Sequence, residues 1–259
     1  MKIATWNVNS LNVRLSHVLD WIKENQPDIL CLQETKQMND KFQHEEFKKI
    51  GYHSYHNGQK TYNGVAIISK KELIDVNSNI PNFEDTQKRI ISGIWVSDTN
   101  EHLYIVSAYV PNGQAIDSEK FTYKMHWLEH FSSWVSHIYN QHDAVIISGD
   151  FNIAPKDIDC HDPNSWEGKI LVSQIEREAF NKILDVGFYD AYREINPNMK
   201  EYSWWDYRMA GFRRNLGMRI DHILVSKKIL KNVKGAFIDK APRKLERPSD
   251  HTPVVVTLE

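Results

Sequence analysis

Two short polar runs, one mid-chain and one near the C-terminus, hold residues suited to acid–base or metal chemistry. They are Gly149-Asp-Phe-Asn152 and Pro248-Ser-Asp-His-Thr-Pro-Val254. The first follows the apolar run Ala144–Ile147 and the second precedes Val254–Val256. A carboxylate, an amide and an Asp-His pair therefore stand at the mouths of predicted buried strands. Open α/β sheets place their chemistry in the loops at strand ends. Four more runs share the pattern: Thr5-Trp-Asn-Val-Asn9, Leu32-Gln-Glu-Thr35, Tyr109-Val-Pro-Asn112 and Arg219–Ser226. Glu34, Asp150, Asp221 and Asp250 each border or interrupt an apolar segment. Taken singly, each reads as a solvated loop acid. Taken together, they read as one site. Strand alternation puts Asp221 on a face with Ile223 and Val225. A carboxylate there needs a partner. His251 is the expected one, because a carboxylate fixes the tautomer of an imidazole and raises its basicity.

Electrostatics then selects the chemistry. Two like charges about 4 Å apart repel by roughly 4 kcal/mol at an effective dielectric near 20. Carboxylates that converge on a phosphate need a hard divalent cation between them. The oxygens of Glu34, Asp250 and the Asn7 amide suit Mg²⁺, with Mn²⁺ able to substitute, and no Cys/His cluster suggests structural zinc. No Ser or Cys stands in a hydrolase-elbow setting. The pattern points to attack by water on a phosphodiester, with a metal and fixed dipoles stabilising the developing charge.

The elements that must position these residues follow from periodicity. Strands are predicted at 2–6, 28–33, 64–69, 90–96, 103–110, 144–149, 219–226 and 253–258. Helices are predicted at 13–25, 118–140 and 174–186, the last opening on the capping box Ser173-Gln-Ile-Glu176. No linker or low-complexity tract divides the 259 residues, so one domain over 1–259 is expected. The fold class is α/β: a four-layered sandwich of two packed mixed sheets with helices on the outer faces. The net charge of −2 does not by itself announce a nucleic-acid binder. Cys31 and Cys160 make no disulfide framework and suit a reducing, cytoplasmic setting. The N-terminus begins a strand rather than a signal peptide, and no stretch is long and apolar enough to span a bilayer.

The ordered set TWNVNSLNVR, PDILCLQETK, GVAII, KRIISG, SAYVPNG, GDFNIAP, YSWWDYR, GMRIDHILVS and RPSDHTPV resembles the exonuclease III family. These are class II apurinic/apyrimidinic endonucleases within the endonuclease/exonuclease/phosphatase superfamily. The segments cover almost the whole chain, and YSWWDYR with GMRIDHIL points to the DNA-repair branch. The resemblance implies an enzyme that cuts DNA 5′ to abasic sites, with 3′→5′ exonuclease and 3′-phosphatase activities. It implies Glu34 as principal metal ligand, with Asn7 and Asp250 nearby. Asp150 would orient or deprotonate the attacking water, and Asn152 would hold the nucleophile or stabilise the transition state. Tyr109 would contact the scissile phosphate, and Asp221 would orient His251 toward a phosphate oxygen. Asp150, Asn152 and His251 form a possible second metal site, so one or two ions are open. The implied partner is double-stranded DNA with abasic or blocked 3′ ends, bound by a monomer that is nucleoid-associated when on DNA.

On the substrate side, Lys36, Asn112, Trp204, Met218 and Ile220 are expected to bind DNA, the last three lining a slot for a flipped abasic sugar. Some relatives carry Trp and Leu where Met218 and Ile220 stand, and Asp in place of Asn9. Trp205 and Tyr207 read instead as packed core. Arg208, Arg213, Arg214, Arg219, Arg243, Lys244 and Arg247 read as a phosphate-contacting rim. Two other readings stand beside this one: the same scaffold hydrolysing another phosphoester, and a DNA-binding module whose site has decayed.

Overall fold

The computed structural model describes residues 1–259 in full. Fourteen strands run in chain order. They are β1 (Lys2–Asn7), β2 (Ile29–Gln33), β3 (His53–Asn57), β4 (Val65–Ser69), β5 (Leu73–Asn77), β6 (Ile90–Val96) and β7 (His102–Tyr109). Then come β8 (Val145–Asp150), β9 (Phe188–Asp190), β10 (Trp204–Trp205), β11 (Gly217–Met218), β12 (Asp221–Ser226), β13 (Val233–Ile238) and β14 (Val254–Leu258). One six-stranded sheet has the order β13-β14-β1-β2-β4-β3 and the other β5-β6-β7-β8-β12-β9, while β10 and β11 form a separate ribbon.

Only two neighbouring pairs are parallel, β1 with β2 and β7 with β8. A parallel pair needs a crossover, and each has a helix in it: Leu11–Asn25 in the first and Glu119–Gln141 in the second. These crossovers bring the C-terminal ends of β1 and β2 together, and likewise those of β7 and β8. Asn7, Glu34, Tyr109 and Asp150 lie at those ends. The antiparallel neighbours complete the mouth. Asp221 at the start of β12 is registered with Asp150, and β14, entered just after Asp250 and His251, runs against β1.

Three apolar clusters fill the spaces between layers. Ile3, Cys31, Ile67, Ile105, Ile146 and Ile223 lie between the sheets. Trp6, Val18, Trp21, Ile22 and Leu32 pack the helix Leu11–Asn25 onto the first sheet. Trp127, Phe131, Val135, Phe151 and Phe180 pack the helices Glu119–Gln141 and Gln174–Asp185 onto the second. The four-layered α/β sandwich expected from the sequence is the one observed. No helix is long and apolar enough to cross a membrane.

Element boundaries mostly agree with the periodicity to within two residues. Six strands, β3, β5, β9, β10, β11 and β13, escaped it. In β5, Ile74, Asp75, Val76 and Asn77 are all exposed, so an edge strand leaves little apolar signature. The strand expected from residue 219 begins at Asp221. Arg219 is diverted before it, its N–H donating to the Asp159 carbonyl.

Candidate active site

The centre of the mouth is Asp150. Its Oδ1 accepts the Asn152 N–H at 2.8 Å, and its Oδ2 accepts Nδ2 of Asn7 at 2.9 Å and of Asn152 at 3.3 Å. Asn152 adopts φ +50°, a left-handed conformation tolerated by Asn, which turns its amide back onto Asp150. Burial and the neighbouring Asp221 carboxylate push Asp150 up to about 7, against the opposing pull of His251 and its amide donors. Asp221 is fully buried, as the alternation with Ile223 and Val225 demanded. It meets His251 Nδ1 at 2.9 Å, and His251 Nε2 stands 3.7 Å from Asp150 Oδ2. Burial works against a charged imidazole, but Asp221 and Asp150 together raise His251 to about 10. The imidazolium thus lies between two carboxylates, and Asp221 sets its orientation.

Glu34 lies on the other side of Asn7. Asn7 Nδ2 donates to Glu34 Oε1 at 3.2 Å as well as to Asp150, so one amide bridges the two sheets. The Tyr109 hydroxyl donates to Glu34 Oε1 at 2.5 Å. Burial would raise Glu34, yet Lys36 and Tyr109 hold it below the usual carboxylate range. Glu34 and Lys36 have φ +53° and +54°, and the loop is pinned by Thr35 N–H to Gly64 and Lys36 N–H to Asn63. Gly64 itself has φ +92°, and a Cβ there would meet the Thr35 hydroxyl at 2.2 Å, so a side chain would expel the loop that presents Glu34.

The donor set fits a hard cation. Lys36 Nζ sits 2.9 Å from Glu34 Oε2 and 2.6 Å from Asn9 Oδ1, so a positive charge already occupies the space between hard oxygens. Asn9 Nδ2 continues the chain to Asp250 Oδ1 at 2.9 Å, and Asp250 Oδ2 accepts the Trp204 indole N–H at 3.0 Å. Asn7, Glu34 and Asp250 are therefore linked through Asn9 and Lys36, although Asn7 turns its amide oxygen toward the Asn9 N–H. A second acidic group, Asp150, Asp221 and His251, has ligand atoms all within 4.8 Å of one another. Asn152 adjoins it through its N–H and amide bonds to Asp150.

Far-apart segments are stitched by short polar bonds. Ser249 Oγ donates to the Asn7 carbonyl at 2.7 Å, Trp6 Nε1 to the His251 carbonyl at 3.3 Å, and Thr252 N–H to the Ser203 carbonyl at 2.8 Å. Ser203 Oγ accepts the N–H groups of Ile220 and Asp221. Arg89, which the sequence reading passed over, donates to the Tyr109 carbonyl at 3.1 Å and lies over its ring at 4.8 Å. Arg89 lies within the family-like segment KRIISG, the one signal in the sequence that marks it.

An open cleft of about 850 Å³ adjoins the site, lined among others by Arg89, Tyr109, Asn112, Trp166, Trp204 and Arg208. Asn112 Nδ2 donates to Asn152 Oδ1 at 3.0 Å, which ties the cleft wall to the loop that follows Asp150. Trp204 is half-buried and opens on the cleft. Met218 and Ile220 are buried behind it with Ala154, Cys160, Leu171 and Val172, so they shape its backing rather than its surface.

Three expectations are corrected. Tyr207 is half exposed rather than core, its hydroxyl donating to the Pro248 carbonyl. Arg219 is not on the rim but fully buried, bound to Asp159 at 2.7 Å and Asp190 at 2.7 Å. Arg243 is also buried, donating to the Ser249 carbonyl and lying over Trp205, Tyr207 and Phe212. Arg208, Arg213, Arg214, Lys244 and Arg247 remain exposed.

The Arg219 network stiffens the backing of the site. Arg219 can only donate, so His222 Nδ1 accepts from it at 2.9 Å and Nε2 carries the proton donated to the Ile153 carbonyl. Asp159 also binds Arg193 at 2.5 Å. Asp159→Asn leaves two buried guanidiniums short of a counter-charge and is expected to cost about 3–5 kcal/mol in urea unfolding. A loss below about 0.5 kcal/mol, the usual range for surface changes, contradicts that account.

A model of the endonuclease/exonuclease/phosphatase family matches residues 4–251. The chain is 34% identical to exodeoxyribonuclease III of Haemophilus influenzae, covering 98% of each chain. Among solved structures it is similar to the 3′-5′ exonuclease NExo of Neisseria meningitidis, at 44% identity, 100% coverage of both chains and a TM-score of 0.96. That protein has also been described as a 3′ phosphatase bound to a product DNA hairpin. An AP endonuclease from Archaeoglobus fulgidus is similar at 39% identity, with 100% and 99% coverage and a TM-score of 0.93.

Proposed function

The chain belongs to the endonuclease/exonuclease/phosphatase family, and on that premise we propose that it is a DNA-repair phosphodiesterase that incises 5′ to abasic sites. It also trims or dephosphorylates 3′ ends, works as one domain and one monomer on double-stranded DNA, and resides in the cytoplasm. The observation that carries this reading is the convergence of Asp150, the Asp221–His251 pair and Glu34 around one Asn7 amide.

The reaction is in-line attack of water on phosphorus. The new bond joins the water oxygen to phosphorus, and the bond broken is to the 3′ oxygen, leaving a 3′-hydroxyl and a 5′-phosphorylated abasic sugar. Asp150 orients the water and takes its proton. Asn152 holds Asp150 and offers its amide to the same water. His251, oriented by Asp221, donates from Nε2 to a non-bridging oxygen as charge grows there. Tyr109 borders the phosphate position from the Glu34 side. A divalent ion, Mg²⁺ or Mn²⁺, held by Glu34 with Asn7 and Asp250 beside it, would supply Lewis-acid charge to the phosphate and leaving oxygens. Lys36 and Asn112 flank the strand at the cleft, and Trp204, backed by Met218 and Ile220, receives the base-free sugar. The exposed Arg208, Arg213, Arg214, Lys244 and Arg247 neutralise phosphates without reading sequence.

The test is side-by-side cleavage of tetrahydrofuran-containing, nicked and 3′-phosphate duplexes, with Mg²⁺ and with chelator. Incision immediately 5′ to the tetrahydrofuran in Mg²⁺, lost in chelator, is the expected result. No nicking, together with hydrolysis of another phosphoester, would overturn the substrate assignment.

A further inference from the structure

Lys124 and Glu176 are both wholly buried, and their charges meet at 2.5 Å. A buried ion pair is a costly way to fill space, because two well-packed apolar side chains of similar volume stabilise as well or better. This pair does something an apolar pair could not. The Lys124 ammonium has three protons, and three acceptors face it. They are Glu176 Oε1, the Asn152 carbonyl at 2.7 Å and the Asn112 carbonyl at 3.3 Å. No other protein donor reaches either carbonyl.

Both carbonyls belong to loops whose side chains meet at the site. Asn152 holds its left-handed backbone directly above the ammonium and sends Nδ2 to Asp150. Asn112 sends Nδ2 to Asn152 Oδ1. The next residue, Gly113, crosses so near the lysine stem that a Cβ there would meet Lys124 Cδ at 3.2 Å. Glu176 secures the other end. Its carboxylate accepts the N–H groups of Leu171 and Ser173 and the Ser173 hydroxyl, which anchors the start of the helix Gln174–Asp185 and the Leu171 wall of the cleft.

We propose that Lys124 is a positioning residue for phosphodiester cleavage: its ammonium, held by Glu176, clamps the Asn112 and Asn152 backbones so that their amides present Asp150 and the attacking water. This rests on the phosphodiesterase reading above. The two are separable, because wild-type incision tests the reading and the ratio of variant to wild type tests the clamp.

Lys124→Met alone strands a buried carboxylate, so the informative variant is K124M/E176Q. The Gln keeps one oxygen for the Ser173 N–H, with its NH₂ turned to the side where Lys124 and Leu171 met the carboxylate. E176Q alone keeps the ammonium on both carbonyls. Each variant is first compared with wild type by circular dichroism and thermal melting, then by kcat and KM on the tetrahydrofuran duplex. Displacing a catalytic group by a fraction of an ångström to 1 Å costs up to about 10²-fold, so K124M/E176Q is expected to lose about 10–100-fold in kcat with KM within about 3-fold of wild type. E176Q, which keeps the ammonium but loses its counter-charge and one of two acceptor oxygens, should lose less in kcat than K124M/E176Q. K124Q/E176Q, whose shorter amide reaches one carbonyl, should fall between them and carries the test if the Met variant does not fold. Wild-type kcat in a folded variant lacking the ammonium overturns the proposal. So does a kcat that merely follows the melting temperature across the series.

Discussion

Asp150→Asn is expected to lower turnover on an abasic-site duplex by about 10²–10⁴-fold, the range for loss of a positioned general base. The substitution keeps the volume and one of the two oxygens that accept from Asn7 and Asn152. What it removes is the capacity to take a proton from water. It also places an N–H₂ where the Asn7 and Asn152 amides already donate, so one donor must face another. The fold should survive, since the buried pair of Asp221 with His251 stays intact. Single-turnover cleavage with saturating enzyme isolates the chemical step, and a thermal melt confirms folding. A folded D150N enzyme with wild-type turnover would remove Asp150 from the mechanism.

The second large effect is at His251. Asp221→Asn or His251→Asn is expected to cost about 10²–10³-fold in kcat, the usual loss for one charge-stabilising donor. The two side chains act as a unit: Asp221 contributes by holding the imidazole at 2.9 Å and keeping it protonated. The double variant should therefore be little worse than either single one, because coupled residues do not add. KM for the duplex should change little, since neither group lies on the exposed rim. Multiplicative losses in the double variant would show that the two side chains contribute separately.

These expectations concern residues visible in the sequence. Glu34, Asp150, Asp221 and His251 were recognisable because each interrupts or borders an apolar run, and such a carboxylate has to be paired. The ordered motifs added roles that spacing alone could not supply. Lys124, Glu176, Arg89 and Ser203 were not recognisable as parts of the site. Lys124 sits among aromatic residues on a helix whose charged positions otherwise face solvent, and its partner lies 52 residues away.

The chain alone determined the layers, because strand and helix periods are local properties of which side chains are apolar. It also determined which acids must meet, because a carboxylate at the mouth of a buried strand requires a counter-charge. Only the tertiary structure decided which basic residues remain free for an anionic partner. Arg219 and Arg243 look like their exposed neighbours in sequence, yet Asp159, Asp190 and an aromatic floor draw them inside. Charge pairing acts through space across any sequence separation, and its outcome depends on which distant segments the strand order brings together, here β9, ending in Asp190, beside β12, which follows Arg219.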